Sequence, residues 1–116
     1  LKTLRNNISI DEQEKIIEIA KNIDIDLKTD GTVLLDGEDV TKEIRSKEVT
    51  KIVSQVSSIK EVRFKMVDIQ RKLAEGKDVI MEGRDITTYV FPNADVKIYL
   101  DADEEERAKR RYKEIL

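Results

Sequence analysis

The sequence predicts an α/β chain in which short apolar core strands and amphipathic helices surround a small antiparallel meander. Three observations predict it. Val79-Ile80-Met81 and Val96-Lys97-Ile98-Tyr99-Leu100 have the form of strands buried in a sheet, because a short apolar run between turn residues needs cover on both faces. From Ile23 to Val40 the period is two, punctuated by Asp30-Gly31 and Asp36-Gly37, which is the pattern of tight antiparallel hairpins. Elsewhere apolar residues recur at i, i+3, i+4 and i+7, the spacing of one helix face.

Taken in order, Leu1 to Asn7 reads as the tail of a helix. Ser9-Ile10-Asp11-Glu12 has the capping-box pattern, and Ile16, Ile19, Ala20 and Ile23 form a stripe, so a helix is expected from about Ile10 to Asn22. Ile23, Ile25 and Leu27 then alternate with Asp24, Asp26 and Lys28. A two-residue turn at Asp30-Gly31, a return strand from Thr32 to Leu35, a second turn at Asp36-Gly37 and a short strand from Glu38 to Val40 complete the meander. Helical spacing resumes after Thr41, with Val49, Ile52, Val53 and Val56 on one stripe and Ser54 at its edge. Ser58-Ile59-Lys60-Glu61 repeats the capping-box pattern ahead of Val62, Met66, Ile69 and Leu73, and Gly76 is placed to end that helix. Arg63 flanks its stripe as Ser54 flanks its own, while Phe64 falls off it. After the second apolar run, Asp103 and Glu106 open a last helix carrying Arg107, Arg110 and Arg111.

Composition excludes several classes of function. The chain has 116 residues, begins at Leu1 and ends within a helical pattern, and is expected to be a fragment. Lys and Arg number 22 against 25 Asp and Glu, for a net charge of −3 with both signs interspersed, so no basic face for polymeric nucleic acid or an anionic membrane is expected. No apolar run approaches the roughly 20 residues that span a bilayer, and a soluble cytoplasmic protein is expected. Cysteine and histidine are absent, which removes disulfides, thiolate nucleophiles, imidazole bases and the usual zinc ligands, and no metal site is expected. What remains is Asp, Glu, Arg, Lys and hydroxyls, an inventory suited to phosphoryl transfer, where positioning and charge neutralisation dominate.

The stretch that focuses this chemistry is Glu82-Gly83-Arg84-Asp85, directly after the first apolar run. Ligands collect beyond the carboxyl ends of strands in open α/β sheets. Gly83 permits a sharp turn or a close approach to a ligand, the planar fork of Arg84 suits a phosphate, and Asp85 accepts hydrogen bonds from an amino group. The alternative reading of these residues is a surface ion pair at a strand end. Ser54 likewise reads either as a site residue or as a solvated helical serine, and Arg63 either as a site residue or as one cation in a charged sequence.

Several of these stretches together resemble the bacterial cytidylate kinase family of P-loop nucleoside monophosphate kinases. They are Glu82-Gly83-Arg84-Asp85-Ile86, the run from Val90 to Ile98, Glu105-Glu106-Arg107-Ala108 with Arg110-Arg111, and upstream Asp36-Gly37-Glu38-Asp39-Val40, Glu43-Ile44-Arg45 with Glu48-Val49, and Ser54-Gln55-Val56. The resemblance implies a parallel-sheet P-loop core with an inserted monophosphate-binding subdomain. Residues 1–22 would be core or connecting helices, 23–76 the insert, and 77–116 core strands and the start of a lid helix. It implies transfer of the γ-phosphoryl of ATP, with Mg2+, to CMP or dCMP. Arg84 resembles the family's arginine on the CMP phosphate, which gives it a catalytic role. Asp85, Ser54 and Arg63 resemble the residues that bond the cytosine ring, and Arg110 resembles a lid-base arginine near the adenine of ATP. Thr87 stands where the family usually has glycine, and no Gly-x-x-x-x-Gly-Lys-Ser/Thr stretch occurs. The chain is therefore expected to carry the acceptor pocket and to transfer no phosphoryl group by itself; a non-catalytic binding module derived from a kinase is the alternative.

Overall fold

The computed structural model describes all residues from 1 to 116. They fall into two compact units, Leu1–Glu82 and Gly83–Leu116.

In the first unit a short helix α1 (Lys2–Arg5) precedes α2 (Gln13–Asn22), three strands β1 (Ile25–Leu27), β2 (Val33–Leu35) and β3 (Glu38–Asp39), a 3-10 turn (Glu43–Arg45), α3 (Lys47–Ser57) and α4 (Lys60–Ala74). The strands form an antiparallel sheet in the order β1-β2-β3, with Ile25 opposite Leu35, Leu27 opposite Val33 and Leu35 opposite Glu38. The meander expected from the alternation is therefore present. Asp36 and Gly37 both have positive φ, 50° and 84°, the mirror-image turn whose twist matches that of the flanking strands. The first connection is longer than the expected two residues. Gly31 N–H donates to Lys28 C=O at 3.0 Å and Lys28 N–H to Thr32 C=O at 2.9 Å, so Thr29, Asp30 and Gly31 make a three-residue loop with Gly31 at the left-handed position.

The core of this unit is Ile16 and Ala20 from α2 packed on Ile59 and Val62 at the start of α4, with Ile8, Ile10, Ile17, Val56 and Met66 around them. Both predicted capping boxes are altered. The Glu12 carboxylate accepts from Ser9 N–H at 3.0 Å while Glu12 N–H donates to Ser9 C=O at 2.9 Å, so these residues close a turn and α2 starts three residues later than expected. Ser58 turns its hydroxyl back to Gln55 C=O at 2.7 Å, ending α3 in place of capping α4, and buried Ile59 opens α4. The helix cap that forms is Ser46, whose Oγ accepts from Val49 N–H at 3.4 Å.

The second unit holds a π-helical turn (Ile86–Val90) and helix α5 (Glu104–Ile115). Ile86 and Val90 are its buried apolar residues. Helix α5 buries nothing and carries ion pairs one turn apart, Lys109 with Glu105 at 2.8 Å, Arg110 with Glu106 at 3.1 Å and Arg111 with Glu114 at 3.1 Å.

The two expected core strands do not form, which corrects that part of the α/β reading: the chain combines helices with the expected antiparallel meander, and no parallel sheet is present. Residues 79–81, at the end of the first unit, are irregular and Ile80 is fully exposed; residues 96–100, in the second, are irregular, with Tyr99 and Leu100 exposed to 91% and 90%. A parallel strand takes its hydrogen bonds from neighbours distant in sequence, and no segment of these 116 residues lies beside either run as a strand. Apolar content alone does not make a strand when its backbone groups find no ladder.

Candidate functional site

Ser54 and Arg63 sit on either side of one helix corner in the first unit. Ser54 belongs to the last turn of α3 and Arg63 to the first turn of α4, both side chains are exposed, and the helices pack together. Val56 leans on the core next to Ile59 and Val62, which fixes the corner from beneath. The Ser54 carbonyl accepts from Ser58 N–H at 3.1 Å and Ser57 Oγ at 3.2 Å. Phe64, off the apolar stripe by sequence, is half exposed with the Lys60 ammonium 5.6 Å from its ring centre, a cation–π contact at the surface.

Arg84 and Asp85 belong to the second unit, immediately before the π-helical turn. The Asp85 carbonyl accepts from Tyr89 N–H at 2.9 Å and Val90 N–H at 3.2 Å, and Phe91 N–H donates to Ile86 C=O at 2.7 Å. Asp85 is half-buried and Arg84 exposed. Gly83 is not in the left-handed region; its lack of a side chain serves a close approach, since a Cβ there would lie 2.8 Å from Ile86 Cγ1. Arg110 is on α5, its guanidinium held by Glu106 of the same helix. Each predicted site residue is thus exposed or half-buried: Ser54, Arg63 and Arg110 on helices, Arg84 and Asp85 in the bend before the π-helical turn. Ser54 and Arg63 lie on the two helices that meet at one corner, and Arg84 and Asp85 are consecutive residues before the π-helical turn.

A second constellation, not anticipated from sequence, ties α1 to the meander. The Arg5 fork takes Glu38 through Nη1 at 2.8 Å and Nη2 at 3.1 Å, and Glu43 through Nε at 3.1 Å and Nη2. Lys2 pairs with Asp36, whose other oxygen accepts from Asp24 N–H at 2.9 Å. The hydrogen bonds from Arg5 hold the Glu43 carboxyl below its ordinary range; those from Lys2 first, then Asp24, do the same for Asp36. Partners this far apart in sequence leave no local signal. The strength of the arrangement lies in its bidentate geometry.

A hollow of about 300 Å³ lies between α4 and β1, lined by Lys65, Lys72 and Lys77 over Ile23, Ile25 and Ile69. None of the predicted site residues lines it. No three acidic side chains converge as a metal cluster would require, and no helix is long and apolar enough to cross a membrane.

A family model described as cytidylate kinase matches residues 1–116. The curated cytidylate kinase of Caldicellulosiruptor saccharolyticus is 55% identical over 118 residues, covering 99% of this chain and 52% of that protein. That of Caldanaerobacter subterraneus subsp. tengcongensis is 54% identical over 116 residues, covering 99% and 51%, and that of Clostridioides difficile 49% identical over 114 residues, covering 98% and 52%. The chain spans about half the length of the curated relatives it matches.

Proposed function

Because the chain belongs to the cytidylate kinase family, we propose that it is the CMP-binding portion of an enzyme that transfers the γ-phosphoryl of ATP, with Mg2+, to CMP or dCMP. The observation that carries this reading is the Arg84-Asp85 pair. An exposed guanidinium stands next to a carboxylate whose backbone is pinned by two hydrogen bonds from the π-helical turn. We assign the phosphate to Arg84 and the cytosine ring to Asp85, Ser54 and Arg63, with residues 23–76 as the monophosphate-binding insert.

The base choice follows from counting donors and acceptors. Cytosine carries an amino donor at C4 where uracil carries a carbonyl, and an unprotonated N3 where uracil has N–H. An ionised Asp85 is acceptor-only and complements the amino group; Arg63 donates to O2 and N3. Uracil would meet Asp85 lone pair to lone pair and leave the site's polar groups unpaired, which discriminates better than lost apolar contact. Arg84 contributes through its fork, since two parallel bonds fix the phosphate in orientation as well as in place.

The donor side is different. No Gly-x-x-x-x-Gly-Lys-Ser/Thr stretch is in the sequence, Arg110 is engaged by Glu106, and no acidic cluster is present. Arg110 is kept as the residue proposed to lie near the adenine of ATP, since an exposed pair one turn apart is easily exchanged for a ligand, and no transfer step is derived from these residues. The test is calorimetric titration of the chain with CMP, dCMP, UMP and AMP. CMP and dCMP are expected to bind and UMP and AMP to bind more weakly, and Asp85→Asn, able to turn an amide donor toward O4, should narrow the gap by improving UMP. Equal loss of CMP and UMP in that variant would mean that Asp85 holds the loop and does not read the base.

A further inference from the structure

We propose that Ile86 is a positioning residue for Arg84 and Asp85, seated against the bare α-carbon of Gly83. The inference rests on the reading of Arg84 and Asp85 as CMP-binding residues and adds what aims them. Ile86 is 8% exposed and Val90 2%, so the π-helical turn is held by its two apolar ends. Its first carbonyl contacts run to Asp85, whose C=O is bound by the N–H groups of Tyr89 and Val90. That fixes the chain on the C-terminal side of Asp85. On the N-terminal side the Ile86 side chain reaches back across three residues: a Cβ built on Gly83 would meet Ile86 Cγ1 at 2.8 Å and Cδ1 at 3.2 Å.

Gly83 and Ile86 therefore close a four-residue segment with Arg84 and Asp85 as its middle pair. Gly83 has no left-handed φ to explain its presence, so the room it leaves for Ile86 is the physical reason that a glycine fits there. A methyl at position 83 must displace either a buried isoleucine or the backbone that carries the fork and the carboxylate. Crowding of this kind is not relieved by a flexible side-chain end, because Ile86 is β-branched and packed. The π-helical turn itself is a rare geometry that gathers at functional sites.

The experiment compares the wild-type chain with Gly83→Ala, Ile86→Ala and the double variant, reading CMP affinity by calorimetry and the amide exchange and chemical shifts of residues 84–90 by NMR. Gly83→Ala is expected to weaken CMP by about tenfold or more and to speed exchange at Tyr89 and Val90. Ile86→Ala should also weaken CMP and speed that exchange, because the positioning contact is gone, and in the double variant the methyl at 83 no longer meets Cγ1 or Cδ1, so adding it should cost little beyond Ile86→Ala alone. Effects that multiply independently, or a Gly83→Ala chain whose amides match wild type, overturn the proposal. If Gly83→Ala does not fold, the double variant must fold as well as Ile86→Ala does, and a double variant that is unfolded where Ile86→Ala folds overturns the proposal. A wild-type chain that does not bind CMP removes the proposed function, while the amide readout still decides the positioning.

Discussion

The two units bury their apolar residues to very different extents. The first unit folds its meander and helices onto a core of its own around Ile16, Ala20, Ile59 and Val62. The second buries Ile86 and Val90 but leaves Val96, Ile98, Tyr99 and Leu100 in solvent. The difference is one of contact range. An antiparallel meander finds its partner within a few residues, so each strand supplies the next with hydrogen bonds. A sheet strand without a turn-linked neighbour has no such supply, and its apolar side chains have nothing to cover them.

The largest expected effect tests this contrast directly. Ile16→Ala, at a site 2% exposed, should cost about 2 to 5 kcal/mol of unfolding free energy, whereas Ile98→Ala should change it by no more than about 0.5 kcal/mol. Urea denaturation of both variants checks this, and an equal cost at Ile98 would reveal a core in the second unit. Next in size is Arg84→Lys, which keeps the charge and loses the fork. It should weaken CMP binding by about 1.5 to 3 kcal/mol without moving the denaturation midpoint, separating a binding role in the second unit from a packing role.

Acid sharpens the comparison from the side of the first unit. Glu43 and Asp36 titrate below their usual values of 4.5 and 3.8 when folded, because of Arg5 and Lys2 respectively. Depressed carboxyl pKa values stabilise the fold above the unfolded values, and that contribution is lost as pH falls through the folded ones. The melting temperature should therefore decline as pH drops below about 4.5, and Arg5→Met should remove the Glu43 share of the decline while leaving the Asp36 share. A melting profile in Arg5→Met that follows wild type through acid would return the Arg5 fork to an exposed pair of no consequence. The smallest effect belongs to Ser46→Ala. Its long cap bond at 3.4 Å places it near the low end for helix caps, about 0.5 to 1 kcal/mol, measurable by the same urea titration.

Much of the first unit was legible in the sequence because its signals are local. The Asp36-Gly37 turn, the alternation from Ile23 and the stripe through Ile16 and Ala20 each specify geometry within a few residues. The capping boxes misled because serine has competing local partners: Ser58 finds Gln55 C=O behind it before it can serve the helix ahead. The Arg5 fork was invisible, since its carboxylates lie 33 and 38 residues away. The apolar runs at 79–81 and 96–100 carried the right composition for strands, but a strand is a relation between segments and composition describes only one of them. For the candidate site, sequence singled out Arg84 and Asp85 and gave two accounts of Gly83, a sharp turn or a close approach to a ligand; the group found against Gly83 is the chain's own Ile86, a packing relation that no residue pattern announces.

The exposed run from Val96 to Leu100 has a further consequence, for how this chain behaves in a concentrated solution. Val-Lys-Ile-Tyr-Leu is β-prone, without proline or glycine, and carries a single charge, the profile of segments that stack into cross-β fibrils. Asp95 and Asp101 bracket it, and flanking charges of one sign act as gatekeepers by repelling neighbouring copies in register. Lys97, whose ammonium is drawn to the Pro92 carbonyl, is the segment's own charge and repels its copies in the same register. Protection of this kind is electrostatic, so it weakens as salt screens it.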